Sequence, residues 1–507
     1  MANNNRILMA FALFAACTAT ALSSERSAKP NILFILADDL GYRDTGCYGA
    51  TKIKTPRIDR LAGQGVRFTD AHSVCGVCNP SRYSILSGTY LWHAKRKNDY
   101  SLYFHEGQVT LPSLLKSAGY RTLALGKWHN GFGRQPEPDW NGELNPGPLE
   151  IGFDHFFGTP RTHNEPPLVF VEDHRVVALD AADRIRVDKS PGTGAHGKMQ
   201  GGAKAQAARP DERIDFIMAE KAAAFFAGQQ RETPFFLYLA FAAPHVPVNP
   251  DPAFRGKSQA GLYGDYVQQL DHCVGLVLDA LEKQGLADQT LVLFTSDNGG
   301  VYHADALAEG HRTNGELLGQ KTDAWEGGHR VPLLARWPGH LPAGSERKEL
   351  FTQVDLMATF AEATGILLPA GASPDGLSEW AAFTDPAKAV ARRDEAVFLG
   401  TGGFALRQGD WLYLPKQGSC GMTAPEQQPK PWGQPWAKLG FINSDVDDRG
   451  RIKPDAPAAQ LYNLKADPAE KFNVVQKFPE IAQKLAARLE VLVPPKKTAP
   501  KPPTAPK

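Results

Sequence analysis

The chain has 507 residues, with 56 Lys and Arg against 55 Asp and Glu and a formal net charge of +1. That length accommodates two or three domains around a large core. The near-neutral balance excludes the broad basic field that would hold a nucleic acid, so no nucleic-acid partner is expected.

Residues 1–21 read as an export signal. Arg6 supplies the positive start, Ile7 to Ala16 the apolar stretch and Ala19-Thr20-Ala21 a cleavage site. The apolar stretch is too short to span a bilayer and no other segment is apolar enough, so no transmembrane segment is expected. The mature protein is therefore expected outside the cytoplasm, periplasmic or secreted. Phe14-Ala15-Ala16-Cys17 also resembles a bacterial lipoprotein signal, which leaves a lipid anchor on Cys17 as an alternative. In an oxidising compartment the cysteines that matter are Cys47, Cys75, Cys78, Cys273 and Cys420. Five is odd, and their pairing is not written in the sequence. Cys273, in a helical stretch, reads as a buried free thiol.

Asn31 to Ala37 is a continuous apolar run, as expected of a strand buried on both faces, and Asp38-Asp39 follow it. Thr55-Pro56 cap a helix through Leu61, with Gly63 and Gly65 as stops. Pro80 and Gly88 bracket an amphipathic helix, with Cys78 just before its N-terminus. Leu111-Pro112 opens a short helix ending at Gly119. Arg121 to Leu125 is a strand leading into Gly126-Lys127-Trp128-His129. Residues 186–212 are rich in Gly, Ala and Lys and read as a long loop or insertion. Arg213 to Ala227 is helical by pattern. Phe235 to Ala242 is a buried strand ending in Ala243-Pro244-His245. Tyr266 to Gln284 is a helix that Gly285 stops, and Thr290 to Thr295 is a strand ending in Ser296-Asp297-Asn298-Gly299-Gly300.

Strands alternating with helices predict an α/β fold, with a large domain whose central sheet is mostly parallel and flanked by helices. From about residue 385 the pattern changes. Phe404 to Leu414 and Gln460 to Leu464 read as antiparallel strands, and Ile481 to Leu492 as a closing helix. The expected organisation is a catalytic domain over 29–384 and a smaller C-terminal α+β domain with an antiparallel sheet over 385–493. A disordered basic tail of Pro, Lys, Thr and Ala follows over 494–507. In parallel sheets ligands bind beyond the carboxyl ends of the strands, where each polar cluster named above falls.

Several residue types there carry chemistry. Cys78 lies where helix amides favour anions, and Arg82 adds a forked cation suited to oxyanions. The spacing of Cys75 and Cys78 also fits a redox pair, a disulfide or half a metal site. Asp38-Asp39 and Asp297-Asn298 offer hard oxygen ligands that suit Ca²⁺ or Mg²⁺ rather than zinc. Period-two alternation points Lys127 and His129 to one side of their strand exit. His245 sits between two prolines, and Lys321 lies in a loop that ends in Trp325-Glu326-Gly327-Gly328.

Together these segments resemble the type I, formylglycine-dependent sulfatases, which have an alkaline-phosphatase-like fold. The resemblance runs from about residue 29 into the C-terminal region. It rests on Ala37-Asp38-Asp39-Leu40-Gly41-Tyr42, Cys78-x-Pro80-Ser81-Arg82, Gly126-Lys127-Trp128-His129, Pro244-His245, Ser296-Asp297-Asn298-Gly299 and Trp325-Glu326-Gly327-Gly328, in the family's order. It implies that a formylglycine-generating enzyme oxidises Cys78 to Cα-formylglycine. One hydroxyl of the hydrated aldehyde attacks sulfur, the S–O bond breaks, and the other hydroxyl helps to expel sulfate. A divalent ion is implied on Asp38, Asp39, Asp297, Asn298 and the formylglycine at position 78. Arg82 would hold the aldehyde hydrate and the metal-bound carboxylates, and Lys127 and Lys321 would clamp the sulfate oxygens. His129 would take the proton from the covalent hemiacetal. His245 would protonate the leaving alcohol or orient the sulfate.

The chain departs from the pattern at Asn79, where the family has a small residue such as Ser, Thr or Ala. The positions that maturation reads, Cys78, Pro80 and Arg82, are intact. Tyr462-Asn463-Leu464 with Asp467-Pro468 resembles the family's structural C-terminal signature. Gly310-His311-Arg312-Thr313-Asn314-Gly315, Gln320-Lys321 and His329-Arg330 resemble the branch that holds arylsulfatases and N-acetylgalactosamine-6-sulfatases. The implied substrate is a sulfated carbohydrate, with aryl sulfates as simpler substitutes. Candidate specificity residues are Arg161, His163, His311, Arg312 and the loop at Thr401-Gly402-Gly403. Two alternatives stand beside this: a phosphoester or phosphonate ester hydrolase of the same fold, and a catalytically silent glycan-binding protein.

Overall fold

The computed structural model describes residues 29–94, 101–189, 197–389, 391–392, 395–423 and 436–493. The export signal, Cys17 and the 494–507 tail lie outside the described residues. A ten-stranded sheet forms the centre. In spatial order its strands are Ser345–Arg347, Val66–Phe68, Leu333–Arg336, Thr290–Ser296, Asn31–Ala37, Phe235–Ala240, Arg121–Gly126, His155–Gly158, Val171–Glu172 and Arg175–Val176. The five from Thr290–Ser296 to His155–Gly158 are mutually parallel. On either side the pairing turns antiparallel.

Asn31–Ala37 is buried along its whole length, which explains its unbroken apolar sequence. Successive side chains point to opposite faces. Ile32, Phe34 and Leu36 therefore join one core layer, and Leu33, Ile35 and Ala37 the other. The first layer holds Tyr83, Ile85 and Leu86 of the Cys78–Ser87 helix, together with Leu356, Met357 and Phe360 of the Leu356–Ala363 helix. The second holds apolar faces of the Ile214–Ala227 and Gly261–Lys283 helices. Each aliphatic or aromatic side chain fully buried in such a layer contributes about 1.5–3 kcal/mol.

A second, antiparallel sheet is built from Glu395–Gly400, Gly403–Gln408, Trp411–Leu414 and Gln460–Asn463. The Pro479–Leu492 helix covers one face through Leu485 and Leu489, against Leu406 and Leu461. The other face packs Phe398 and Leu412 with Leu318 and Trp325 of the large sheet's loops.

Several local expectations are corrected. The Cys78–Ser87 helix is not amphipathic: every residue but Asn79 is buried, because the helix lies inside the protein rather than on it. Cys78 is the first helical residue rather than the one before the helix. Thr55 makes no side-chain cap on the helix at Pro56–Gly63; its hydroxyl accepts from Gly46 N and donates to Asp59. Residues 186–212 are not simply a loop. Arg186–Asp188 and Lys198–Gln200 pair as a small hairpin, and Ala203–Ala207 is helical. The helix expected from Tyr266 starts earlier, at Gly261. Phe404 to Leu414 is two strands joined by a turn with Gly409 at φ 59°. Among the described residues, no helix is long and apolar enough to cross a membrane.

Candidate active site

Four neighbouring parallel strands end at one edge of the sheet, and each delivers a polar residue there. Asp38 and Asp39 follow Ala37, Lys127 follows Gly126, His245 lies five residues beyond Ala240, and Asp297 and Asn298 follow Ser296. The Cys78–Ser87 helix brings Cys78 and Arg82 to the same place, and Lys321 arrives on a loop rather than a strand. The turn at Gly126 requires glycine. Its φ is 100°, and a Cβ there would lie 1.8 Å from the Ala240 carbonyl oxygen. The strand ends at that residue, so pleat alternation does not govern Lys127 and His129. His129 sits at φ 54°, outside any strand conformation.

Charges in this cluster interlock. Arg82 donates from Nε (3.0 Å) and Nη2 (2.7 Å) to Oδ2 of Asp297, and from Nη1 to the Lys127 carbonyl at 3.0 Å. Lys127 Nζ donates to Asp38 Oδ2 at 2.6 Å. Lys321 Nζ contacts both carboxylate oxygens of Asp39, at 2.7 and 2.8 Å. Asp39, at φ 64°, donates its N–H to Asp297 Oδ1 at 3.1 Å, and its Oδ1 accepts from Asn298 Nδ2 at 2.7 Å. Burial raises the Asp297 pKa, and the Asp38 charge adds to it against Arg82, Lys127 and Lys321. Burial works against charge on Lys321, but Asp39 outweighs it and raises its pKa.

Two oxygens are left over. Asp38 Oδ1 and Asn298 Oδ1 are buried and have no hydrogen-bond partner. A buried acceptor with no donor is costly, and a hard cation is its natural partner. Asp38, Cys78 and Asp297 each bring a ligand atom within 4.8 Å of the others, as do Asp38, Asp39 and His245. The donor set therefore fits an oxygen-bound divalent ion.

Cys78 Sγ lies 3.3 Å from His129 Nδ1. Burial raises the thiol's pKa, against Lys127 and Lys321. Burial and the neighbouring Lys127, Arg82 and Lys321 hold His129 well below the ordinary imidazole range, so it stands neutral with a lone pair to offer. Asn79 donates its side-chain amide to the His129 carbonyl at 2.6 Å, which gives that departure a local task. His245 Nδ1 donates to the Val246 carbonyl at 2.6 Å, and its Nε2 lies 3.6 Å from Asp39 Oδ2. Burial, Lys321 and Lys127 depress its pKa too.

The expected specificity residues are mostly tied into the protein. Arg161 donates to Pro166 O and pairs with Glu137 at 2.9 Å, its guanidinium over the Trp140 ring. His163 Nε2 donates to the His245 carbonyl at 2.9 Å. His311 Nε2 donates to Asp44 at 2.7 Å. Arg312 bonds Gly315 O and Leu439 O. Of the segment at 401–403, Thr401-Gly402 is the turn between two strands of the small sheet, and Gly403 opens the second strand. The five cysteines from Cys47 to Cys420 are all free, so Cys75 and Cys78 form no disulfide.

Sequence reasoning missed a supporting layer. Asp215 accepts from the backbone N–H groups of Ala242 and Ala243, which lead to His245. Asp44 accepts from Gly41 N–H, Tyr263 hydroxyl and His311. Single acids in otherwise ordinary segments carry no signal of such tasks.

Comparison with known proteins gives one family. The family model for sulfatases matches residues 30–366. An N-acetylgalactosamine-6-O-sulfatase of Bacteroides thetaiotaomicron is 36% identical, over 92% of this chain and 94% of that protein. The human N-acetylgalactosamine-6-sulfatase is 34% identical over 69% of this chain, which spans 65% of the human protein, just under two thirds. A solved Bacteroides thetaiotaomicron structure, from work on the metabolism of multiple glycosaminoglycans, superposes with a TM-score of 0.80. It is 34% identical, over 92% of this chain and all of that one.

Proposed function

The chain belongs to the sulfatase family and hydrolyses sulfate esters, and on that premise we propose that its substrate is a 6-sulfated N-acetylhexosamine of a glycosaminoglycan. The names of the similar proteins support that sugar class. The observation that carries the site is the pair of buried oxygens without a hydrogen-bond donor, Asp38 Oδ1 (3.8 Å from Arg82 Nη2) and Asn298 Oδ1, in a cluster that holds Cys78 and the ion-paired Lys127 and Lys321.

Sulfatases of this family work with a formylglycine and a divalent metal. Here Asp38, Asp39, Asp297 and Asn298 would hold the ion, Ca²⁺ or Mg²⁺, and position 78 would carry the formylglycine. When present, the ion polarises oxygens and the hydrated aldehyde supplies the nucleophile. Arg82 orients Asp297 through two N–H donors on one oxygen and opposes the burial that raises its pKa. Lys127 and Lys321 are held on Asp38 and Asp39 with their charge felt at Cys78, and they are suited to the sulfate oxygens as charge develops on them. Neutral His129 at 3.3 Å from position 78 can accept a proton there. His245 donates from Nδ1 to Val246, so its Nε2 carries the lone pair. It must take up a proton before it can give one to the leaving alcohol, and burial with Lys321 and Lys127 works against that uptake in the protein as it stands. Export, with or without a lipid on Cys17, fits a glycan met outside the cytoplasm.

The test is sulfate against phosphate release from paired aryl esters, then sulfate release from N-acetylgalactosamine 6-sulfate. The protein is co-expressed with a formylglycine-generating enzyme, and Cys78→Ala serves as control. Sulfate release that Cys78→Ala abolishes supports the reading. Preference for phosphate overturns it.

A further inference from the structure

His303 stands five residues beyond Asn298 and takes no part in the cluster described above. The backbone that carries it is laid directly on the site. Lys321 N–H donates to Gly300 O at 3.1 Å, and Tyr302 N–H to the Gln320 side-chain oxygen at 3.3 Å. The His303 ring lies flat on Tyr263, with centroids 4.4 Å apart and planes at 19°. Tyr263 is fully buried, and its hydroxyl donates to Asp44, which also holds Gly41 N–H at 2.7 Å and His311 at 2.7 Å. Gly41 follows Asp39 by two residues. One rigid stack thus links the segment that bears the acids to the imidazole.

The ring is held but not used. His303 is half-buried, and neither ring nitrogen bonds any described residue or counts among the buried partnerless atoms. Both nitrogens therefore lack a partner among the described residues while not being sealed from solvent. Stacking fixes an aromatic ring at low entropic cost and leaves its edge as a preorganised donor and acceptor.

We propose that His303 is a specificity-determining residue that reads the sugar ring: its imidazole edge hydrogen-bonds an uncharged substituent, a hydroxyl or the acetamido group, of the sulfated hexosamine. The inference rests on the aminosugar reading given above. Burial depresses the His303 pKa, and Lys321 adds to this against Asp305, Asp39 and Asp44. The ring is then neutral, which suits an uncharged group and not the sulfate, for which Lys127 and Lys321 already stand ready. An aryl sulfate offers no such substituent.

The experiment compares the matured, metal-loaded wild type with His303→Ala and His303→Asn. The substrates are N-acetylgalactosamine 6-sulfate and 4-nitrophenyl sulfate. Loss of one neutral hydrogen bond is expected to lower kcat/KM for the sugar about tenfold, mainly through KM. The aryl sulfate should stay within about twofold, and His303→Asn, which keeps a donor and an acceptor, should recover part of the loss. An equal fall on both substrates would place His303 in the shared machinery and overturn the proposal. So would an unchanged sugar rate. A wild type that releases sulfate from the aryl ester but not from the sugar would instead sink the aminosugar reading, and the proposal with it.

Discussion

Lys127 Nζ lies 2.6 Å from Oδ2 of Asp38, with both side chains fully buried. Lys321 repeats the arrangement on Asp39. Each cation proposed to hold sulfate is thus stored on a carboxylate proposed to hold metal. Three anions (Asp38, Asp39 and Asp297) face three cations (Arg82, Lys127 and Lys321), so the cluster is balanced before anything binds. A divalent ion would add two positive charges, which the sulfate dianion would offset.

Sulfate should therefore bind only when the ion is present. Inorganic sulfate is expected to raise the Tm of metal-loaded Cys78→Ala protein, and chelation should abolish that shift. An equal shift in stripped protein would mean that the lysines alone hold sulfate and that ion and anion are uncoupled.

Asn79 is expected to matter through His129. Its amide fixes the carbonyl of a residue held at φ 54°, a conformation that non-glycine residues rarely adopt. Asn79→Ala should cost about 1 kcal/mol of stability and lower kcat about tenfold with KM nearly unchanged. Chemical denaturation and steady-state kinetics read both effects. Full activity would show that His129 needs no such anchor.

The strands were legible because a strand buried on both faces cannot hide: Asn31 to Ala37 has no polar break. The parallel order then places Asp38, Asp39, Asp297 and Asn298 together by topology alone. Lys321 was not legible that way. It comes from an irregular loop, and only its resemblance to known sulfatases flagged it. Arg161, His311 and Arg312 read as loop residues that could meet substrate, and each is bonded to a partner from another segment, Glu137, Asp44 and Leu439. Such pairings are made by tertiary packing, which sequence spacing does not encode. The Cys78–Ser87 helix misled for the related reason that polar Ser81, Arg82 and Ser84 are buried as thoroughly as its leucine.

Acid should weaken the fold through buried histidines. Burial, with Arg209 and Lys127, takes the His163 pKa down to about 4, against Asp211 and the bond to His245 O. Above the ordinary value near 6.5 neither the folded nor the unfolded form binds the proton, and nothing is lost. Between about 6.5 and 4 the unfolded chain takes it up and the folded one does not. Stability therefore falls by roughly 1.4 kcal/mol per pH unit for this residue, and the loss levels off below both values. His163→Gln, which keeps an amide donor for the His245 carbonyl, should flatten the profile by about 2 kcal/mol at pH 5. Parallel denaturation profiles for the two proteins would remove His163 as a source.

The seam between the two sheets should depend on Arg407. This residue lies in the Gly403–Gln408 strand of the small sheet, and its Nη1 donates to Asp70 Oδ1 at 2.7 Å, in the turn after Val66–Phe68 of the large sheet. Asp70 also meets His72 Nε2 at 2.8 Å and Arg330 Nη2 at 3.5 Å. Burial alone would raise the Asp70 pKa, but Arg330, His72 and Arg407 hold it well below the usual carboxylate range. Arg330 in turn pairs with Glu326 at 3.1 Å, and the Glu326 N–H donates to Glu470. Removing one member of a buried ionic network strands the others in low dielectric. Arg407→Ala is therefore expected to cost about 3–5 kcal/mol. None of these groups touches Cys78, Lys127 or Lys321, so kcat per folded molecule should stay within about twofold. Urea midpoints and active-site-normalised turnover separate the two effects. Unchanged stability would make Arg407 an onlooker at the seam, and a large fall in kcat would mean that the small sheet steers the catalytic edge.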